Sequence, residues 1–190
     1  MKQIVIGLVG GPSTGKGEIS NLLEKRGFFP FSLSDILRIK AQEQNLPHTR
    51  KSLTDIANNL RAKKGASALG LEAVSILKNS KHKKIVIESI RHPEEAKILQ
   101  NNLGAFIIGV TMPIDERWKL MQKRNRPGDP KTKEEFLELV KSEESETGKE
   151  TDIQVGRALK EVDIIIDNSQ SLEALDGRVV KLLSEKKLLI

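Results

Sequence analysis

The stretch Gln3-Ile4-Val5-Ile6-Gly7-Leu8-Val9-Gly10-Gly11-Pro12-Ser13-Thr14-Gly15-Lys16-Gly17-Glu18 decides the fold. Its first half is a continuous apolar run rich in β-branched residues, the pattern of a strand buried on both faces. Its second half fits the frame G-x-x-x-x-G-K, with Gly10, Gly15 and Lys16 at the fixed places. Glycines let a short loop fold so that successive backbone N–H groups point inward at an anion. A helix read from about Gly15 to Arg26 adds free N–H groups and the positive end of its dipole. Lys16 supplies a mobile charge of the kind that phosphoryl transfer needs. Gly10, Gly11, Pro12, Ser13, Thr14, Gly15, Lys16 and Gly17 are therefore read as a cradle for the phosphates of a nucleotide.

Outward from this loop, short apolar runs alternate with longer helical ones. That pattern predicts an α/β fold, a doubly wound sheet of about five parallel strands. Strands are expected at 3–9, 28–32, 85–87, 106–111 and 162–166. Between the second and third, helices are read at 34–44, 52–64 and 66–78 with no strand among them, so 34–80 is expected to be a helical insertion. Further helices are read at 93–102, 114–123, 132–145, 153–161 and 172–185. Thr132 and Glu135 have the spacing of a capping box. Residues 124–131 (Arg124-Asn-Arg-Pro-Gly-Asp-Pro-Lys131) read as a short basic lid, with Gly and Pro as possible hinges.

Composition narrows the chemistry. With 190 residues, 37% hydrophobic and 31% charged, the chain is expected to form one globular domain, 1–190. Cysteine is absent, which excludes disulfides, thiolate nucleophiles and Cys-ligated zinc or iron–sulfur centres. Aromatics are 3% and tyrosine is absent, so a planar ligand would stack on Arg or aliphatic side chains. The net charge of +6 fits a polyanionic partner: nucleic acid, anionic lipid or a phosphorylated small molecule. No apolar run has the length of a membrane span, and the N-terminus has no signal-peptide pattern. A cytoplasmic protein is expected, with a monomer as the default form.

With Gly10-Gly-Pro-Ser-Thr-Gly-Lys-Gly17, the chain resembles the P-loop nucleoside monophosphate kinase family. Adenylate kinase-like members have Gly-x-Pro-Gly-x-Gly-Lys-Gly, again without a hydroxyl after the lysine. Ser34-Asp35-Ile36-Leu37-Arg38 is similar to the Gly-Asp-x-Leu-Arg of that family. Glu88-Ser89-Ile90-Arg91 is similar, one residue shorter, to its Asp-Gly-x-Pro-Arg. A narrower resemblance is to the dephospho-CoA-kinase-like and deoxynucleotide-kinase-like group. It rests on Gly15-Lys16-Gly17-Glu18, Ser32-Leu33-Ser34-Asp35, Asn59-Leu60-Arg61 and Asp129-Pro130-Lys131-Thr132.

The resemblance implies ATP as phosphoryl donor, Mg²⁺ as cofactor and a small-molecule nucleotide as acceptor. Neither a membrane nor nucleic acid is required. It implies acceptor contacts from Ser34, Asp35, Arg38, Arg61, Arg91 and Arg157. Lys16, Arg124, Arg126 and Asp35 are the catalytic candidates. Glu18, Arg117 and Asn168 join the loop as ATP-side candidates, although Glu18 also reads as a solvated helix residue. Asp35 and Glu88 would either orient water on Mg²⁺ or pair with Lys16. His92, beside Arg91, is the one histidine near a phosphate-side cation. The function implied is transfer of the γ-phosphoryl of Mg·ATP to a nucleoside or deoxynucleoside monophosphate. The rivals are a dephospho-CoA kinase-like enzyme acting on a ribose hydroxyl and a nucleotide-binding regulatory module without turnover.

Overall fold

The computed structural model describes residues 3–126 and 128–188. Within them, five strands form one parallel sheet in the order β2-β3-β1-β4-β5. The strands are β1 (Ile4–Val9), β2 (Phe29–Ser32), β3 (Lys84–Ile90), β4 (Phe106–Thr111) and β5 (Ile164–Asp167). Helix α1 (Lys16–Glu24) follows β1. Three helices, α2 (Leu33–Glu43), α3 (Arg50–Lys64) and α4 (Ala68–Lys78), fill the interval between β2 and β3. Then come α5 (Pro93–Leu103), α6 (Ile114–Arg124), α7 (Lys133–Glu143), the short α8 (Val155–Ala158) and α9 (Leu172–Glu185).

The apolar run at 4–9 becomes the central strand because both of its faces are covered. Val5 and Val9 pack with Ile85, Ile87 and Ile107 against the apolar sides of α2 to α5. Ile6 and Leu8 pack with Val86, Ile108 and Val110 against α1 and α9. Strand order reverses at β1, and in such sheets ligands bind beyond the carboxyl ends of the strands at the reversal. Loop 10–15 emerges there.

Strand β3 runs longer than the apolar triplet 85–87 predicts. Its pairing with β1 slips between Gly7 and Val9, so Glu88 and Ser89 together stand opposite Leu8. Ser89 takes a left-handed φ of 63° at this bulge. A bulge re-aims side chains at the rim of a sheet, and both residues of this one line the cavities described below.

Three local expectations need correction. The strand expected at 162–166 begins at Ile164; Asp163 just before it meets Ile107 twice, its N–H donating to Ile107 O at 2.9 Å and its carboxylate accepting from Ile107 N–H at 2.6 Å. The helix expected at 153–161 is α8 followed by a tight 3₁₀ turn at Leu159–Glu161. At α7 the reciprocal half of the capping box slides by one: Thr132 accepts from Glu135 N–H, but Glu135 accepts from Lys131 N–H. The full box lies at α5, where His92 Nδ1 accepts from Glu94 N–H and Glu95 accepts from His92 N–H. His92 is thus a buried helix cap, 2% exposed, and not a phosphate ligand.

Arg61 is likewise structural in its main contacts. Its guanidinium donates to Glu95 at 2.7 Å, and the two side chains are 2% and 0% exposed. Arg61 also donates to Thr151 O, while the second oxygen of Glu95 receives Arg91 N–H and His92 N–H. The pair ties α3 to α5 and to the segment before α8. Removing one partner of such a pair leaves a buried charge uncompensated. Arg61→Ala is expected to destabilise the fold by about 3–5 kcal/mol in urea unfolding. A loss below about 1 kcal/mol, the scale of exposed pairs, would contradict this role.

Candidate active site at the phosphate loop

Loop 10–15 is held by contacts that admit no side chain at any of its three glycines, and at Gly10 a Cβ would meet Val110 O at 2.5 Å. Gly15 has a φ of +86°, and a Cβ there would meet Asn168 Nδ2 at 1.9 Å. Asn168 donates from that nitrogen to Thr14 O at 3.2 Å. A Cβ on Gly11 would meet Glu144 Oε1 at 1.5 Å and Arg117 Nη2 at 2.5 Å. Arg117 donates to Pro12 O at 2.8 Å and pairs with Glu144 at 2.6 Å. Gly17 differs: a Cβ there would meet nothing within 4 Å. The missing hydroxyl after the lysine therefore has no steric cause.

Lys16 folds back onto the loop and donates to Gly10 O and Gly11 O, each at 2.7 Å. It pairs with neither Asp35 nor Glu88. Burial, reinforced by Arg91 and Arg117 and opposed by Glu143 and Glu88, lowers its pKa from 10.5 to about 7. A lysine in this state accepts a proton when an anion arrives.

Two adjoining cavities open at this edge of the sheet. One, of about 540 Å³, is lined by residues 10–18 together with Leu120, Lys123 and Glu143. The other, of about 450 Å³, is lined by Ser34, Asp35, Arg38, Arg61 and parts of α3. Arg50, Glu88, Ser89, Arg91, Arg124 and Arg126 belong to both, so the cavities share a wall dominated by arginines. Those arginines come from the start of α3, the end of β3 and the end of α6.

Most of these cations are paired with acids. Arg50 and Arg91 both donate to Glu143 Oε1, the latter at 2.9 Å. Arg124 forms a two-point contact with Asp129, at 2.8 and 2.7 Å. Burial alone would raise the Asp129 pKa, but hydrogen bonds from Arg124 and from Arg126 N–H hold it below the usual carboxylate value. Asp35 and Arg38 pair along α2 at 2.5 Å, both exposed.

The sequence-derived residues thus divide. Residues 10–18, Glu88, Arg91, Arg124 and Arg126 surround the loop cavity, and Ser34, Asp35 and Arg38 the second one. Asp35 does not reach the loop cavity, because it opens α2 on the far side of the shared wall. Arg117 and Asn168 stand behind the loop and brace its carbonyls, so they position it instead of lining the cavity. Arg157 lines neither cavity. It is exposed and donates to Gln154 at 2.8 Å. Arg61 lines the second cavity with its guanidinium committed to Glu95. Of the lid expected at 124–131, Pro127 lies outside the described residues. Sequence reasoning missed Arg50 and Glu143. The only signal for Arg50 was Thr49, which accepts from Ser52 N–H and caps the helix that Arg50 begins.

Comparison with known proteins fits this geometry. No protein-family profile matches the chain. Over 175 residues it is 32% identical to a UPF0200 protein of Pyrococcus abyssi, covering 90% of each chain. Among solved structures, TT1252 from Thermus thermophilus superposes with a TM-score of 0.63 at 19% identity, covering 97% of this chain and 98% of that one. Shikimate kinase from Acinetobacter baumannii in complex with shikimate gives 0.58 at 14%, covering 98% and 96%. These likenesses are of fold, an α/β fold with a five-stranded parallel sheet, and do not single out nucleoside monophosphate kinases.

The lowered pKa of Lys16 has a sign that can be tested. Between about pH 7 and 10.5 the unfolded chain holds the lysine proton and the folded chain does not, so stability rises with pH across that window. Lys16→Met should remove this slope in urea unfolding at stepped pH; an unchanged slope would contradict it. Pyrophosphate binding near pH 8 should take up a proton, seen as a heat that varies with buffer ionisation enthalpy. Gly17→Ser should fold with wild-type stability, within about 0.5 kcal/mol as for an unconstrained surface change. Gly15→Ala should not.

Proposed function

The chain belongs to the UPF0200 family, and from that premise together with the paired cavities we propose that it is an ATP-dependent phosphotransferase acting on a nucleoside or deoxynucleoside monophosphate. What supports the reading most is the shared wall. A donor nucleotide on loop 10–17 and an acceptor beside Asp35 and Arg38 would bring their phosphates together between Arg50, Arg91, Arg124 and Arg126. Several cations at one junction suit two phosphorylated ligands better than one.

Catalysis here is a matter of position and charge. Loop N–H groups and the start of α1 hold the donor phosphates. Lys16 leaves the carbonyls of Gly10 and Gly11 and, once protonated, follows the charge of the phosphoryl group. Arg91 and Arg50 hold the acceptor phosphate in line, while Arg124 and Arg126 neutralise charge on the group in transfer. A monophosphate is already a nucleophile near neutral pH, so the chain has no need of a general base. Mg²⁺ carried by the nucleotide would supply further neutralisation of the phosphoryl oxygens. It binds such sites through one or two carboxylates and retained water. Glu88 fits that role, since it lines both cavities; Asp35 fits less well. Among the described residues no cluster of three or more His, Asp or Glu side chains offers a metal cage.

A second reading, an acceptor hydroxyl as in a dephospho-CoA kinase-like enzyme, has one observation in its favour. Asp35 and Glu88 both line the acceptor cavity, where a carboxylate base would be needed. The likeness to a shikimate kinase allows for such an acceptor. A panel of ribo- and deoxyribonucleoside monophosphates, shikimate and dephospho-CoA, assayed for ADP release, separates the readings. Turnover with a monophosphate is expected, and Lys16→Ala should lower kcat by about 10²–10³, the scale of one lost transition-state donor. Turnover only with a hydroxyl acceptor would replace the first reading with the second. ATP binding without any acceptor-dependent ADP would mean a regulatory module and overturn both.

A further inference from the structure

One carboxylate sits where the proposed reaction needs phosphate. Glu143 ends α7 and lines the loop cavity, yet its side chain is only 7% exposed. Its Oε1 accepts from Arg50, at the start of α3, and from Arg91, beyond β3. Glu143 also attracts the ammonium of Lys16. Two arginines from separate elements thus converge on one acid, while Lys16 is bonded to the loop carbonyls. It is no phosphate ligand itself, since a carboxylate beside bound phosphate is repulsive. It occupies the same guanidinium N–H groups that an acceptor phosphate would take.

The neighbouring residues tie this acid to the loop. Glu144 holds Arg117, which holds Pro12 O. The chain then returns to the same wall, with Gln154 N–H donating to Arg91 O at 2.9 Å and Arg61 donating to Thr151 O at 3.2 Å. The end of α7 and the segment to residue 154 form a strap across the back of the cavity. Of its acids, Glu143 faces the arginines of the wall and Glu144 faces Arg117 behind the loop.

We propose that Glu143 is an internal stand-in for phosphate: it holds Arg50 and Arg91 together over the empty loop and is expelled when a phosphate group enters between them. This rests on the reading of the cavity as a phosphate site and adds a regulation to it. A ligand must displace the carboxylate, so the site binds phosphate more weakly than its cations would otherwise allow. A phosphate offers more acceptor oxygens and more charge than a carboxylate, which drives the exchange.

Pyrophosphate binding to the whole chain, wild type against Glu143→Gln, tests the proposal by titration calorimetry. Glutamine keeps the shape and removes the charge. Glu143→Gln should bind pyrophosphate about tenfold more tightly, the scale of one charge-assisted contact no longer in competition. Weaker or equal binding would overturn the stand-in and make Glu143 a residue that merely aligns the arginines. Absence of pyrophosphate binding in both proteins would overturn the phosphate site itself and the stand-in with it. A second measurement needs no variant. In hydrogen exchange of the wild-type chain, pyrophosphate should slow the amides of 11–18 and speed those of 143–154. Slower exchange in 143–154 would show the strap tightening and contradict expulsion.

Discussion

Cations gathered at one edge of a sheet must be kept from repelling one another. Here Lys16, Arg50, Arg91 and Arg124 crowd one edge of the sheet, beside the positive end of α1. The rest of the local structure answers that constraint. Glu143 takes two of the arginines, Asp129 takes a third, and burial beside Arg91 lowers the pKa of Lys16. Behind the cavity Glu144 and Glu95 do the same for Arg117 and Arg61. The acids thus fix where the guanidinium groups sit.

The fold makes this gathering possible because three unrelated stretches end at one place. β1 lies at the point where strand order reverses, so its loop opens into the crevice. The helices between β2 and β3 bring Arg38 and Arg50 from one side. α6 and α7 bring Arg124 and Glu143 from the other. The bulge at Glu88 and Ser89 turns the end of β3 toward both cavities. The same fold recurs in a shikimate kinase at 14% identity, so the sheet by itself does not specify a ligand.

The loop was legible because its physics is local: a strand, glycines at fixed spacing, a lysine and a helix lie within 18 residues. The sheet was legible because buried strands are continuous apolar runs, and β4 and α9 begin and end where periodicity places them. The partners were not legible. Nothing in the sequence near Arg117 or Asn168 says that one grips Pro12 O and the other Thr14 O, more than 100 residues away. Arg61, Arg91 and Arg157 look alike as arginines near helices, and only packing makes the first a buried strut, the second a cavity wall and the third a surface side chain. Composition does not say which carboxylates of the acidic stretch from Glu143 turn inward. Contacts alone place Glu143, the last residue of α7, on Arg50 and Arg91, and Glu144 just beyond it on Arg117. The resemblance to nucleoside monophosphate kinases led to the right fold, while the motifs do not reveal the lining that α3 gives the second cavity.

The central claim is that two phosphorylated ligands meet across the arginine wall. The most direct measurement is calorimetric titration with a dinucleoside pentaphosphate, which joins a donor and an acceptor through one phosphate chain. Linking two ligands that occupy adjoining sites makes the second contact intramolecular. The account predicts one molecule bound per chain, at least about 10²-fold more tightly than ATP, with the advantage lost when Arg91 is replaced by Ala. Binding no tighter than ATP, or an advantage that survives Arg91→Ala, would contradict it.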